Sequence, residues 1–176
     1  MVDSRWLFTG LVALVALERL FEMWIAGRHR RWLLERGGFE VGQTHYPWMV
    51  LLHATFLVSA LLEVWYLDRP LMPSLAICMV VLVAASMALR YWVIATLGRR
   101  WTTRVVLLPG APRLTTGPFR FFRHPNYLAV VVEIAALPLV HTAWLTSLVY
   151  SLLNAALLRT RIGVEDEALD EATRGA

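Results

Sequence analysis

Two short stretches of this sequence hold residue types that could do chemistry together. The first runs Gly117-Pro118-Phe119 into Arg123-His124-Pro125-Asn126-Tyr127; the second, beyond a long apolar run, holds Arg161 and Glu165. Gly-Pro and His-Pro each fix a turn, and Pro125 just ahead of Tyr127 suits the first turn of a helix. A helix start offers free N–H groups and a positive dipole end to a carboxylate or phosphate, and Arg123 and His124 add donors there. Arg161 and Glu165 are four apart, so they share one helix face. That face presents a planar cation beside an acid that can accept from hydroxyls, while Phe119 and Tyr127 offer rings for stacking.

These groups can meet only if the chain between them turns back. The run Tyr127 to Leu158 would make a helix of ~48 Å, against a hydrocarbon core of ~30 Å. One straight crossing is too long, and Pro138 with His141 and Thr142 places a turn around Pro138 to Trp144. A helical hairpin then returns Arg161 and Glu165 to the side where Tyr127 began. Three earlier apolar runs, Trp6 to Ala26, Trp48 to Leu67 and Leu71 to Leu97, each approach or exceed the ~20 residues that cross a bilayer. The expected fold is an all-α integral membrane protein of about five transmembrane helices, the last two a hairpin.

Composition agrees. Of 176 residues 58% are hydrophobic and 17% charged, and the mean hydropathy is +0.55, which excludes a disordered chain and argues against a water-soluble globule. All seventeen basic residues are Arg, and the connections between spans one and two and between three and four hold most of them. The positive-inside rule then places the N-terminus outside, with both Arg-rich loops and the C-terminus cytoplasmic. Trp6 to Ala26 lacks the basic start and small-residue cleavage site of a signal peptide and reads as a mature helix. One domain is expected over 1–176: three spans in 1–97 with a cytoplasmic loop at 27–46, then an Arg-rich loop, hairpin and C-terminal helix in 98–176. The single Cys78 and the absence of His/Glu ligand spacing give no metal site, and nothing points to nucleic acid.

Charges inside the spans need a reason. Glu18, Arg19 and Glu22 fall in span one, Glu63 in span two, Arg90 in span three and Glu133 in the fourth run. A functional role and structural pairing are both open to them, and pairing is the leading reading: Arg19 with Glu22 at i,i+3, and Arg90 with Glu18 or Glu133 on a facing helix. His53 reads as a hydrogen-bonded core histidine, and His45 and Tyr46 as groups at the membrane interface.

A cavity between the two chemical stretches would suit a ligand with a carboxylate, hydroxyls and an aromatic or cationic part. S-adenosylmethionine has all of these, and nucleotides and anionic lipids fit the same description. GPFRFFRHPNY followed one hairpin later by RTRIGVEDEAL resembles the isoprenylcysteine carboxyl methyltransferase family over roughly Trp101 to Leu169. The N-terminal half is similar to a bacterial branch that includes alkylpyrone O-methyltransferases working beside type III polyketide synthases. The resemblance implies S-adenosylmethionine as cofactor, contacted by Leu114, Phe119, His124, Pro125, Asn126 and Tyr127. It also implies that Glu165 closes the cofactor pocket and that Arg161 faces the substrate. Ala129 stands where many members have Gly, and Glu165-Asp166 where the usual pair is Glu-Glu. The family lacks the dinucleotide-binding sheet of soluble methyltransferases, and no G-x-G-x-x-G occurs here.

The implied reaction is an in-line methyl transfer to the carboxylate or acidic hydroxyl of a lipophilic acceptor drawn from the bilayer, an alkylpyrone-type polyketide leading. Such an oxygen is already anionic near neutral pH, so orientation matters more than a base, and Arg161 is the expected catalytic cation. Three rivals stand beside it: an isoprenylcysteine-type carboxyl methyltransferase, an NADPH-dependent membrane reductase and a non-enzymatic membrane subunit. The expected location is a bacterial inner membrane.

Overall fold

The computed structural model describes residues 3–174 apart from 43–45 and 113, and only the backbone over 166–174. His45, Arg113 and the side chains of Asp166 and Arg174 therefore lie outside the described residues. Five α-helices carry the fold: α1 (Ser4–Leu34), α2 (Tyr46–Tyr66), α3 (Pro73–Leu97), α4 (Pro125–Leu139) and α5 (Trp144–Arg174). Two three-residue strands, β1 (Phe39–Val41) and β2 (Val105–Leu107), pair antiparallel with Glu40 opposite Val106.

Helix starts follow local chemistry. The Asp3 side chain accepts from the Arg5 N–H at 3.0 Å and caps α1. Pro73 and Pro125 occupy the first turns of α3 and α4, where a missing N–H is harmless. Pro138 sits in the last turn of α4, and six residues later the chain starts back as α5. The start of α5 is capped from another helix. Both carboxylate oxygens of Glu63, in α2, accept α5 backbone N–H groups, Leu145 at 3.1 Å and Thr146 at 2.7 Å, and Arg69 pairs with the same carboxylate at 2.8 Å. Glu63 thus satisfies two of the orphan donors at the start of α5.

The core joins all five helices. Val15, Leu52, Phe56, Val83, Val130 and Ile134 from α1 to α4 form its centre, with Tyr150 and Leu157 of α5 packed against it. Around this core large apolar side chains face outward, Ile77, Val81, Leu148 and Leu152 among them at 55–66% exposure. Such a belt needs an apolar surround. Among the described residues two helices are long and apolar enough to cross a membrane, Tyr46–Tyr66 and Pro73–Arg100, and α4 is a shorter apolar helix.

The charges of α1, α3 and α4 form one buried cluster. Arg19 pairs with Glu22 at 2.7 Å and Glu18 at 2.9 Å, and Arg90 with Glu133 at 2.8 Å; longer contacts of 3.5 Å and 3.6 Å tie Arg19 to Glu133 and Arg90 to Glu22. Between the two pairings open to Arg90, the structure selects Glu133. His53 Nδ1 donates to the Met49 carbonyl one turn back at 2.8 Å, a local structural bond.

The fold is mostly helical with five helices, as expected, and β1 and β2 add a short strand pair that joins the two Arg-rich connections. One expectation needs correction. The loop expected over 27–46 is helical through Leu34. Charges ended the apolar run at Ala26 without ending the helix: Arg28 stacks on Trp24, and Arg30 reaches Glu40 of β1 at 2.7 Å.

Candidate functional site

At the end of the bundle that carries the strand pair lies a cavity of about 470 Å³. Leu114, Phe119, His124, Pro125, Asn126, Tyr127, Arg161 and Glu165 all line it, so the structure brings these eight residues to one place. β2 makes one wall, with Val93 and Leu97 of α3, Leu33 of α1 and Trp101 supplying the apolar remainder.

Gly117 sets the angle of the loop into the cavity. It opens a 3₁₀ turn over Gly117–Arg120, with φ +58, in the left-handed region. A Cβ there would stand 2.5 Å from the Thr96 hydroxyl, itself held by donation to the Trp92 carbonyl at 2.8 Å. Gly117→Ala is expected to cost about 1–2 kcal/mol from backbone strain alone, with the clash added. Thermal unfolding of the detergent-purified variant checks this, and adding Thr96→Ala should recover only the clash.

Tyr127 is the hub. Its ring stacks on His124 at 5.3 Å, and its buried hydroxyl donates to Glu165 while accepting from Arg161 Nε at 2.8 Å. Arg161 and Glu165, expected on one face, thus meet through the phenol. Arg161 is 7% exposed and spends two further donors: Nη2 on the Thr103 carbonyl at 2.8 Å and Nη1 on the Met49 sulfur at 2.7 Å. A guanidinium has five N–H groups, so two remain. Among the described residues no carboxylate pairs with it.

The strand pair holds Thr103 in place. Glu40 of β1 bonds Arg30 at 2.7 Å and Arg104 at 2.5 Å, Arg104 lies over the Tyr46 ring at 4.1 Å, and the Tyr46 hydroxyl meets that of Thr103 at 3.2 Å. Tyr46 is therefore part of the site's support and more than an interface anchor. Burial raises the Glu40 carboxyl, but hydrogen bonds from Arg104 and Arg30 outweigh it and hold the group below its usual range. The stability this contributes is present above the unfolded carboxyl's pKa and lost as pH falls through the lowered folded value.

Among the described residues the lining carries Arg100, Arg104, Arg123 and Arg161 against one carboxylate, Glu165, which favours a ligand with negative charge. Two buried polar atoms of lining residues have no partner, Trp101 Nε1 and Asn126 Oδ1, and such groups are costly unless a ligand or water meets them. Among the described residues no cluster of His, Cys, Asp and Glu could hold a metal.

Sequence reasoning missed Met49, Thr103, Trp101 and the Glu40–Arg104 pair. Thr103 acts through its backbone, which no side-chain type reveals, and Met49 reads as one more apolar residue of a span. The acidic Glu40 between two Arg-rich segments was the one available signal.

The isoprenylcysteine carboxyl methyltransferase (ICMT) family pattern matches residues 76–171 of this chain, a stretch containing the loop, α4 and the Arg161/Glu165 face. Among curated proteins, YpbQ of Bacillus subtilis, described as uncharacterized, is 34% identical over 168 residues, covering 94% of this chain and 98% of that one. An uncharacterized Haemophilus influenzae protein is 27% identical over 152 residues, covering 86% of this chain and 88% of its own length. No solved structure matches. The matched stretch spans more than half of the sequence and encloses most of the cavity, and on that ground the chain belongs to the isoprenylcysteine carboxyl methyltransferase family, a family of membrane methyltransferases.

Proposed function

We propose that this protein is an S-adenosylmethionine-dependent membrane O-methyltransferase acting on the carboxylate or acidic hydroxyl of a lipophilic substrate, with an alkylpyrone-type polyketide as the leading acceptor. The observation that carries this is the convergence of the 114–127 segment and the Arg161/Glu165 face on one cavity. At about 470 Å³ it falls within the usual size of small-molecule sites.

Leu114, Phe119, His124, Pro125, Asn126, Tyr127 and Glu165 would hold the cofactor. When bound, S-adenosylmethionine supplies a methyl group activated on a sulfonium. The protein's task is then orientation. Glu165 accepts from the Tyr127 hydroxyl and would accept from cofactor hydroxyls, and Tyr127 fixes the Arg161 fork. Arg161 holds the acceptor's oxyanion, and no side chain need form a covalent bond.

The lipid-facing belt supports five helices embedded in the bilayer, with α4 and α5 as the expected hairpin. The Arg-rich loops favour a cytoplasmic site, an outside N-terminus and a bacterial inner membrane. The acceptor would then arrive sideways from the membrane, and a type III polyketide synthase is a natural supplier.

Calorimetric titration of detergent-purified protein with S-adenosylhomocysteine tests the reading. Saturable binding is expected, weakened about 10- to 100-fold by Glu165→Ala, since a hydrogen bond to a charged group contributes about 1.5–3 kcal/mol. Binding of NADPH instead would move the chain to reductase chemistry, and no binding of either by folded protein would leave the structural-subunit reading.

A further inference from the structure

The three partners of Arg161 are unequal. The Thr103 carbonyl belongs to the backbone leading into β2, and the Tyr127 hydroxyl is anchored by Glu165. Both are good acceptors held from behind. Met49 offers only a thioether, a weak acceptor on a side chain with three rotatable bonds. A buried cation left with such a partner and no carboxylate is underserved. An incoming oxyanion would make a charge-assisted bond roughly twice as strong as a neutral one.

The position of Met49 says where that oxyanion comes from. Met49 lies in the first turn of α2, half-buried between Arg161 and a lipid-facing surface on which Trp48 and Leu51 are 63% and 51% exposed. It is absent from the cavity lining, whereas Arg161 belongs to it. Arg161 therefore borders the cavity and also touches the lipid-facing start of α2. His53 holds the Met49 carbonyl, so the side chain can swing while the helix stays in place.

We propose that the Met49 sulfur is a placeholder for the acceptor: the substrate's oxyanion displaces it from Arg161 Nη1, and its alkyl chain lies along α2 where the Met49 side chain had been. This rests on the methyltransferase reading and adds the location of the acceptor subsite. Met49 thereby sets specificity for an anionic head on a slender apolar tail, because the gap it leaves is one unbranched side chain wide.

The test is binding of two probes, dodecanoate and a long-chain alkyl hydroxypyrone, to detergent-purified protein, with S-adenosylhomocysteine titrated separately. Met49→Glu places an internal carboxylate on Arg161 and should weaken both probes about tenfold or more, leaving S-adenosylhomocysteine affinity within about threefold. Met49→Gln, a neutral acceptor of similar length, should act in the same direction by less and covers the case in which the charged variant does not fold. Met49→Leu keeps the bulk without the sulfur and should bind the probes as well as the parent or better. Equal losses in all three variants would make Met49 a packing residue and overturn the proposal. Unchanged probe binding in Met49→Glu, or no probe binding by the parent protein, would overturn it as well. Failure of S-adenosylhomocysteine to bind the parent while the probe pattern holds would overturn the methyltransferase reading and leave the anion subsite standing.

Discussion

Arg161→Lys is expected to lower turnover about 10²- to 10³-fold with an alkyl hydroxypyrone acceptor, while S-adenosylhomocysteine affinity changes less than about threefold. Lysine keeps the charge. It cannot reproduce a planar fork that meets the Tyr127 hydroxyl, the Thr103 carbonyl and the Met49 sulfur at once and still has N–H groups to spare. The ammonium would settle on one or two of those acceptors, and the oxyanion would lose its fixed line toward the methyl donor. Because Tyr127 retains Glu165, the cofactor side of the site should keep its shape. Separate measurement of kcat, acceptor KM and cofactor affinity decides the matter. Turnover near that of the parent protein would show that Arg161 contributes bulk charge alone.

The second large effect concerns folding. Glu133→Leu removes the carboxylate that touches both Arg90 and Arg19, and leaves two buried guanidiniums to Glu18 and Glu22. Breaking a buried ion pair from one side costs about 3–5 kcal/mol. The double variant Arg90→Met with Glu133→Leu should cost clearly less than the sum of its single changes, because it removes the abandoned charge along with its partner. Unfolding in detergent, followed by tryptophan fluorescence or thermal aggregation, measures the cycle. Additive losses would mean that the two residues contribute separately to packing.

The residues of the site were legible in the sequence because turn formers, a helix-start proline and an i,i+4 pair are local signals. Leu114 to Tyr127 and Arg161 to Glu165 could be placed together as soon as the turn after Pro138 was seen. The supporting layer was not legible. Phe39–Val41 and Val105–Leu107 are too short to show a strand period, and their pairing joins segments separated by two whole helices. The extension of α1 past Ala26 was hidden for a different reason. Hydropathy reports where a helix leaves oil, whereas backbone bonding continues until Gly37, at φ +82, and the bond from the Gly38 N–H to the Leu33 carbonyl close it.

That strand pair also fixes an order of events during synthesis. β1 has no partner until β2 has left the ribosome, so α1, α2 and α3 must already be in place when the wall of the cavity closes. Arg161 lies more than fifty residues beyond β2, and at roughly 5–20 residues per second it follows several seconds later. Through that interval the growing chain holds a finished wall facing an open side, and the last long helix to emerge both completes the bundle and delivers the charged groups that make the space usable.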